Sequence, residues 1–186
     1  MKKIHQAQLI IELKAICLDS RQKAEHWKTL SESRLNTSPG NGKWSAAQCI
    51  EHLNRYFDFY LPEIHKVISN SGKESLVSEY KPGILGDYFA NSMKLNENKP
   101  GKMKTLKSKN PAMDLDIRNG NLDEFLKSLN TLSNMLDKAS GINLGAHKTA
   151  ISISSLIKLK FGDTLRFVVY HIERHIKQAE NAIVAS

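Results

Sequence analysis

An all-α protein built as a four-helix bundle is the fold class this sequence predicts. Four segments repeat apolar residues every three or four positions, the period of an amphipathic helix. Two of these segments open on residues that cap helices, and nothing in the chain alternates strands with helices as a parallel sheet would require. A chain of 186 residues has the length of one domain and can bury about two thirds of its unfolded surface. Residues 1–186 are therefore read as a single unit.

The first predicted helix runs from about Lys3 to Leu35, with Leu9, Leu13, Ile16, Ala24 and Trp27 along one stripe. The second opens at Ser45, with Gln48 three positions on in a capping-box pattern. Its stripe is Ile50, Leu53, Phe57, Leu61, Ile64 and Ile68, closed by Gly72. Pro62 lies inside this pattern and predicts a kink or break near Asp58 to Leu61. The third takes Asn121 as its N-cap and carries Leu122, Phe125, Leu129, Leu132 and Leu136 before Gly141. The fourth begins near Asp163, and Leu165, Val169, Ile172, Ile176, Ala179 and Ile183 follow at close to heptad spacing.

The nearly fifty residues between the second and third helices are too many for a plain loop in a compact domain. Ile84, Leu85, Tyr88, Phe89 and Met93 recur there at helical spacing after Pro82-Gly83, so part of the connection is expected to be helical. The link between Gly141 and Gly162 contains the apolar run Ala150 to Ile157, read either as an extended strap or as a short helix.

Composition narrows the function. No apolar run approaches a membrane span, and the polar start Met1-Lys2-Lys3-Ile4-His5-Gln6 lacks the core of a signal peptide. With only Cys17 and Cys49 there is no disulfide framework, and a cytoplasmic location is expected. The net charge of +8 suggests nucleic acid at first sight. A net five of those charges, however, lie between Lys94 and Asn110, in a Pro/Gly-punctuated stretch without a recognition helix or aromatic platform. Nucleic-acid binding through that stretch rests on charge alone and is disfavoured against a solvated loop.

The residues that carry chemistry are His171-Ile172-Glu173-Arg174-His175. Two histidines four apart stand one turn above the other on one helix face, where both rings can reach a single ion. His52, on the core side of the second helix beside Cys49, Leu53 and Tyr56, is the best third partner. His65 is thirteen residues farther on, about 20 Å along a helix, and cannot serve the same ion as His52. Glu173 falls two positions after His171 and so spoils an H-E-x-x-H pattern; E-x-x-H pairs and a close cysteine pair are also missing. Three neutral imidazoles favour zinc, nickel, copper or iron over magnesium or calcium, with zinc or nickel expected first. They leave a coordination position open, as catalytic sites do. Gln48 and Gln178 are candidates to hydrogen-bond the ligating rings from behind, although the capping box alone accounts for Gln48. Tyr56, Tyr60 and Tyr170 are candidate pocket residues that core packing explains as well, and Cys49 is read as a small buried core residue.

The stretch Trp44-Ser45-Ala46-Ala47-Gln48-Cys49-Ile50-Glu51-His52-Leu53 resembles the W-S-x-x-Q-x-x-x-H-L opening of the second helix in the DinB/YfiT-like superfamily of bacterial metal-binding proteins. Phe161-Gly162-Asp163-Thr164-Leu165, leading to His171, His175 and Gln178, is similar to that family's last helix, and the resemblance spans essentially the whole chain. It implies that His52, His171 and His175 are the metal ligands. It also implies an up-down-down-up bundle whose long crossover joins helices 2 and 3. Some relatives are S-transferases or isomerases that use low-molecular-weight thiols such as bacillithiol or mycothiol. The basic insertion from Lys94 to Asn110 has no counterpart in that pattern.

The leading expectation is thus a metal-dependent enzyme that binds a small thiol and transfers it to an electrophile. Hydrolysis by an activated water would use the same site. The alternative is a non-catalytic, stress-related binding or scaffold bundle in which the ion only stabilises the fold. An exposed apolar helix face leads to an expected homodimer.

Overall fold

The computed structural model describes residues 1–72, 75, 77–95, 105–111 and 120–185. Six helices dominate: α1 (Gln6–Trp27), α2 (Glu32–Asn36), α3 (Ala46–Asn70), α4 (Ile84–Met93), α5 (Asn121–Ala139) and α6 (Phe161–Ala185). Two short antiparallel pairs join them: β1 (Ile4–His5) with β2 (Glu79–Tyr80), and β3 (Lys148–Ile151) with β4 (Ser154–Lys160). A 3-10 turn covers Lys107–Lys109. No described helix is long and apolar enough to cross a membrane.

The four predicted stripes are the core. α3 packs against α5 and α6, α1 packs against the same two helices, and α4 lies on α6. Leu13, Leu53, Ile64, Leu129, Leu132, Leu136 and Leu165 are wholly enclosed, because each stripe turns its apolar side to the shared interior. Polar ties fix the pairs at particular heights. The Asn54 side-chain amide donates to the Asn121 carbonyl (2.8 Å) and the Asn121 amide to the Ala47 carbonyl (2.9 Å), while the Phe57 and Phe125 rings meet at 5.8 Å. Lys28 pairs with Asp123 and Lys14 with Asp137 across α1 and α5; Lys23 pairs with Glu180 across α1 and α6.

Several boundaries differ from those read in the sequence. The first predicted helix stops at Trp27, well short of Leu35. Beyond it the chain is polar and has little to bury, and the Ser31 hydroxyl accepts the Arg34 amide to start the separate helix α2. Of the kink or break expected near Asp58 to Leu61, the break does not occur: α3 is continuous from Ala46 to Asn70. Pro62 and Asp58 both lie on the exposed face, where the helix tolerates a proline that cannot donate to it. The opposite face, with Phe57, Tyr60 and Ile64, stays buried. Gly72 does not end α3; Ser71 does, its amide on the Val67 carbonyl and its hydroxyl on that of Ile68. Asn121 is the first helical residue of α5 and not the cap, which is Gly120 at φ +70°. The Asn121 side chain is instead spent on α3.

The apolar link after Gly141 is extended and forms a hairpin. Thr149 faces Leu159 and Ala150 faces Lys158, and the register slips between Ala150 and Ile151 so that Ile151 pairs with Ser154. The helix expected in the long crossover is present as α4. It is pinned to α6 by a buried polar knot in which Asp163 accepts from the Gly83 amide (2.8 Å) and the Tyr80 hydroxyl (3.3 Å). Arg166 reaches out to Asp87 (2.9 Å) and Asn91 (3.1 Å). Of the basic stretch, Lys99, Lys102 and Lys104 lie outside the described residues.

Candidate metal centre

α3 begins at a complete capping box: the Ser45 hydroxyl accepts the Gln48 amide (3.2 Å) and the Gln48 side-chain oxygen accepts the Ser45 amide (2.9 Å). That box fixes where the helix starts and hence which face His52 occupies, about two turns in. On α6, Phe167, His171, Arg174, His175 and Gln178 fall on one stripe at three- and four-residue steps. Packing α3 on α6 brings the two sets face to face.

The structure brings together all three sequence-predicted histidines. His52, His171 and His175 are buried, and one ring nitrogen from each lies within 4.8 Å of the others. The ring centroids are 4.5 to 5.0 Å apart. His52 Nε2 stands 3.2 Å from His171 Nε2. Two nitrogens on one tetrahedral ion at ordinary Zn–N distances are about 3.3 Å apart.

Hydrogen bonds behind two of the rings select the tautomer. His52 Nδ1 lies 2.6 Å from the Lys109 carbonyl, which can only accept, so Nδ1 carries the proton and the Nε2 lone pair points inward. His175 Nδ1 likewise donates to the Gln178 side-chain oxygen at 3.0 Å, which frees its Nε2. Gln178 therefore lies directly behind the His175 ring. Gln48 has its side-chain oxygen committed to the cap of α3.

Burial keeps the rings neutral. His52 is pushed down to about 4, chiefly by burial and further by the charges of Arg55 and Lys109, against the opposing pull of the Lys109 carbonyl. His171 and His175 are held well below the ordinary imidazole range, again by burial first and then by neighbouring positive charge, including Arg174. Neutral imidazole is the form that ligates metal, so the environment presents the right protonation state at neutral pH. The donor set fits a borderline divalent ion, and the three residues could hold one.

The rings form one wall of a cavity of about 560 Å³. Aromatic side chains hold them in place: Trp44 stacks on His175 (5.7 Å), Phe167 stacks on His171 (5.7 Å), and Tyr56 leans on His171 and His52 (4.4 and 4.8 Å). Tyr56 and Tyr60 line the cavity, whereas the Tyr170 hydroxyl donates to Glu12 (2.8 Å) on α1. Burial raises the Tyr56 hydroxyl to about 12 and keeps it protonated. Cys49 is fully enclosed and its thiol is pushed up to about 12 by burial, so it is a core residue with no thiolate to offer.

Sequence reasoning missed the part played by the end of the basic stretch. Leu106 lines the cavity, the Lys109 carbonyl holds His52, and the Lys109 amine donates to the Arg55 carbonyl beneath it. Lys94, at the other end, lies over the Tyr170 ring and pairs with Glu12. The lysine side chains gave no signal of this, because the group that matters is a backbone carbonyl. Trp44 was legible only as the opening of the W-S-x-x-Q-x-x-x-H-L pattern, and the stacking of Trp44 and Phe167 on the rings needs the third dimension.

Compared with known families, residues 20–179 match the DinB superfamily. No curated protein and no solved structure matches the chain. Its helical fold and its cluster of three histidines accord with that match, which covers most of the sequence, and the chain belongs to the DinB superfamily.

Proposed function

We propose that the protein is a metal-dependent enzyme whose divalent ion, zinc or nickel, is held by His52, His171 and His175, and that it transfers a small thiol to an electrophile. The observation that carries this reading is the convergence of three neutral imidazoles on the wall of an open cavity, with no acidic side chain among the described residues that line it. A divalent ion bound by such a set keeps its full charge, and it would lower the pKa of a thiol at the open position so that the sulfur is nucleophilic at neutral pH. The chain's own residues do the rest. Lys109 and Gln178 fix the rings, the aromatic walls exclude water, and Tyr56 holds a proton beside the imidazoles. The thiol releases its proton to solvent, and the sulfur then forms a bond to the electrophilic carbon as the leaving group departs with its electron pair.

The fold that supports this site is proposed to be one up-down-down-up bundle of α1, α3, α5 and α6. The ties support it. Moving forward along α3 from Ala47 and Asn54 to Phe57 moves forward along α5 from Asn121 to Phe125, and moving from Glu12 to Lys23 on α1 moves from Tyr170 to Glu180 on α6. From Lys14 to Lys28 the partners on α5 run backward from Asp137 to Asp123.

Turnover of the metal-loaded protein against a panel of thiols and electrophiles tests the activity, with His52→Ala as control. Thiol-dependent turnover lost in the control is expected. Turnover independent of thiol would replace transfer by hydrolysis, and none above the control would remove the enzymatic reading.

A further inference from the structure

The cavity has two chemically different ends, and their order along α6 can be read from the ring contacts. Tyr60 meets Phe167 at 5.7 Å and its hydroxyl is bonded to the Ser152 amide of the hairpin, so Tyr60, Phe167, Ile151, Ile153 and Leu159 make one end. Trp44 stacks on His175 at the other end, where Arg174, Gln178 and Lys43 line the wall. The three imidazoles lie between. The first end is apolar apart from one phenol. The second carries the only formal charges among the described lining residues, and both are positive.

Further cations stand just behind the wall, one of them, Arg55, paired with the buried Glu51 (2.9 Å). The Lys109 amine stands 5.8 Å from the centre of the Tyr56 ring, and Arg174 lines the wall beside His175. Positive potential in a cleft with low-dielectric walls is focused onto its occupant. The spacing sets the occupant's length: from Phe167 to Arg174 is seven helical residues, or about 10 Å. A cavity of about 560 Å³ is within the usual size for a small-molecule site.

We infer that the electrophile is a small amphipathic acid, with an apolar body of roughly six to eight carbons against Tyr60, Phe167 and Ile153 and its acidic head on the Arg174 side. Its place as electrophile rests on the proposed transferase reading, whereas its binding rests on the cavity alone. Such a molecule lies across the imidazoles, which puts the carbons next to the acid group nearest to them; in the transfer one of these carbons bonds to sulfur while its bond to a leaving group breaks, the electron pair going with that group. Arg174 also donates to the Ser92 carbonyl at 3.3 Å, so its guanidinium is positioned by α4 before any ligand arrives.

Isothermal titration of the purified protein with octanoate, butyrate, octan-1-ol and octylamine tests the inference, with metal content measured on the same sample and the titrations repeated after chelator treatment. A buried methylene is worth about fourfold in affinity, so octanoate is expected to bind at least ~10-fold more tightly than butyrate. It is also expected to bind at least ~10-fold more tightly than octan-1-ol or octylamine. Ile153→Asp, at an exposed lining position, should weaken octanoate and leave butyrate unchanged, and Arg174→Gln should abolish the preference for octanoate over octan-1-ol. Octanoate binding no tighter than butyrate, or equal binding of the acid, the alcohol and the amine, would overturn the inference without any variant. Because the chelated protein is titrated separately, chain-length and charge preferences that survive without metal uphold this inference even where the metal content refutes the enzymatic one.

Discussion

At the residue scale, the account turns on ring nitrogens whose protons have been assigned by their neighbours. The Gln178 oxygen and the Lys109 carbonyl occupy Nδ1 of His175 and His52, leaving both Nε2 atoms to face inward. Gln178→Ala removes one such acceptor, and loss of such a partner typically costs 10- to 100-fold in metal affinity. Competition against a chromophoric chelator measures it, and an unchanged affinity would show that Gln178 does not orient the ring. The same burial predicts a pH dependence. His52 titrates near 4 in the folded protein and near 6.5 when unfolded, so the unfolded chain binds more protons and stability falls as pH drops from about 6.5 towards 4. For His52 alone the loss is about 2 kcal/mol at pH 5. Urea unfolding of metal-free wild type and His52→Phe at pH 7 and pH 5 isolates it: the wild type is expected to lose more stability than the variant between the two. Equal losses would mean that the ring is not held neutral. These three histidines were legible in the sequence because helical spacing is local, and four residues make one turn whatever surrounds them. The Lys109 carbonyl was not, since a backbone acceptor has no residue signature.

At the scale of elements, the four long helices were legible because each must bury one apolar stripe, and that stripe is written in the spacing of residues such as Leu129, Leu132 and Leu136. Their ends were less so. Trp27 and Gly120 mark boundaries that no side-chain cap sets, and at Ser71 a hydroxyl adds one bond to the backbone's, so neighbouring residues suit these ends nearly as well. Pro62 shows the opposite case, a local breaker overruled by the burial of Phe57, Tyr60 and Ile64 on the far side of the helix. α4 depends on a close approach that no period reveals: a Cβ on Gly86 would come within 2.6 Å of the Asp163 Cβ. Gly86→Ala must push α4 away from α6 or displace the Asp163 carboxylate from the Gly83 amide. Such overpacking typically costs 1–3 kcal/mol, about that much in chemical denaturation, and it should loosen the wall that Phe89 and Met93 give the cavity. A variant as stable as the wild type would show that α4 is not seated as described.

At the scale of the whole molecule, the bundle holds two helices far apart in sequence so that 119 residues of chain separate His52 from a ring nitrogen 3.2 Å away. An ion that bridges α3 and α6 exists as a site only in the folded state, so it must also stabilise the fold: at a thousandfold over its dissociation constant it adds about 4 kcal/mol. Thermal unfolding with and without chelator is expected to show that difference in the wild type and to lose it in His52→Ala. The pairing of α3 with α6 was not legible in local patterns, because long-range contacts are set by how all four stripes are satisfied together. The most direct test of the central claim is X-ray absorption at the metal edge of the purified protein. The account predicts one ion per chain with three imidazole nitrogens at about 2.0–2.1 Å and a further light ligand. A protein without stoichiometric metal, or an ion whose shell contains fewer than three imidazoles, would contradict it.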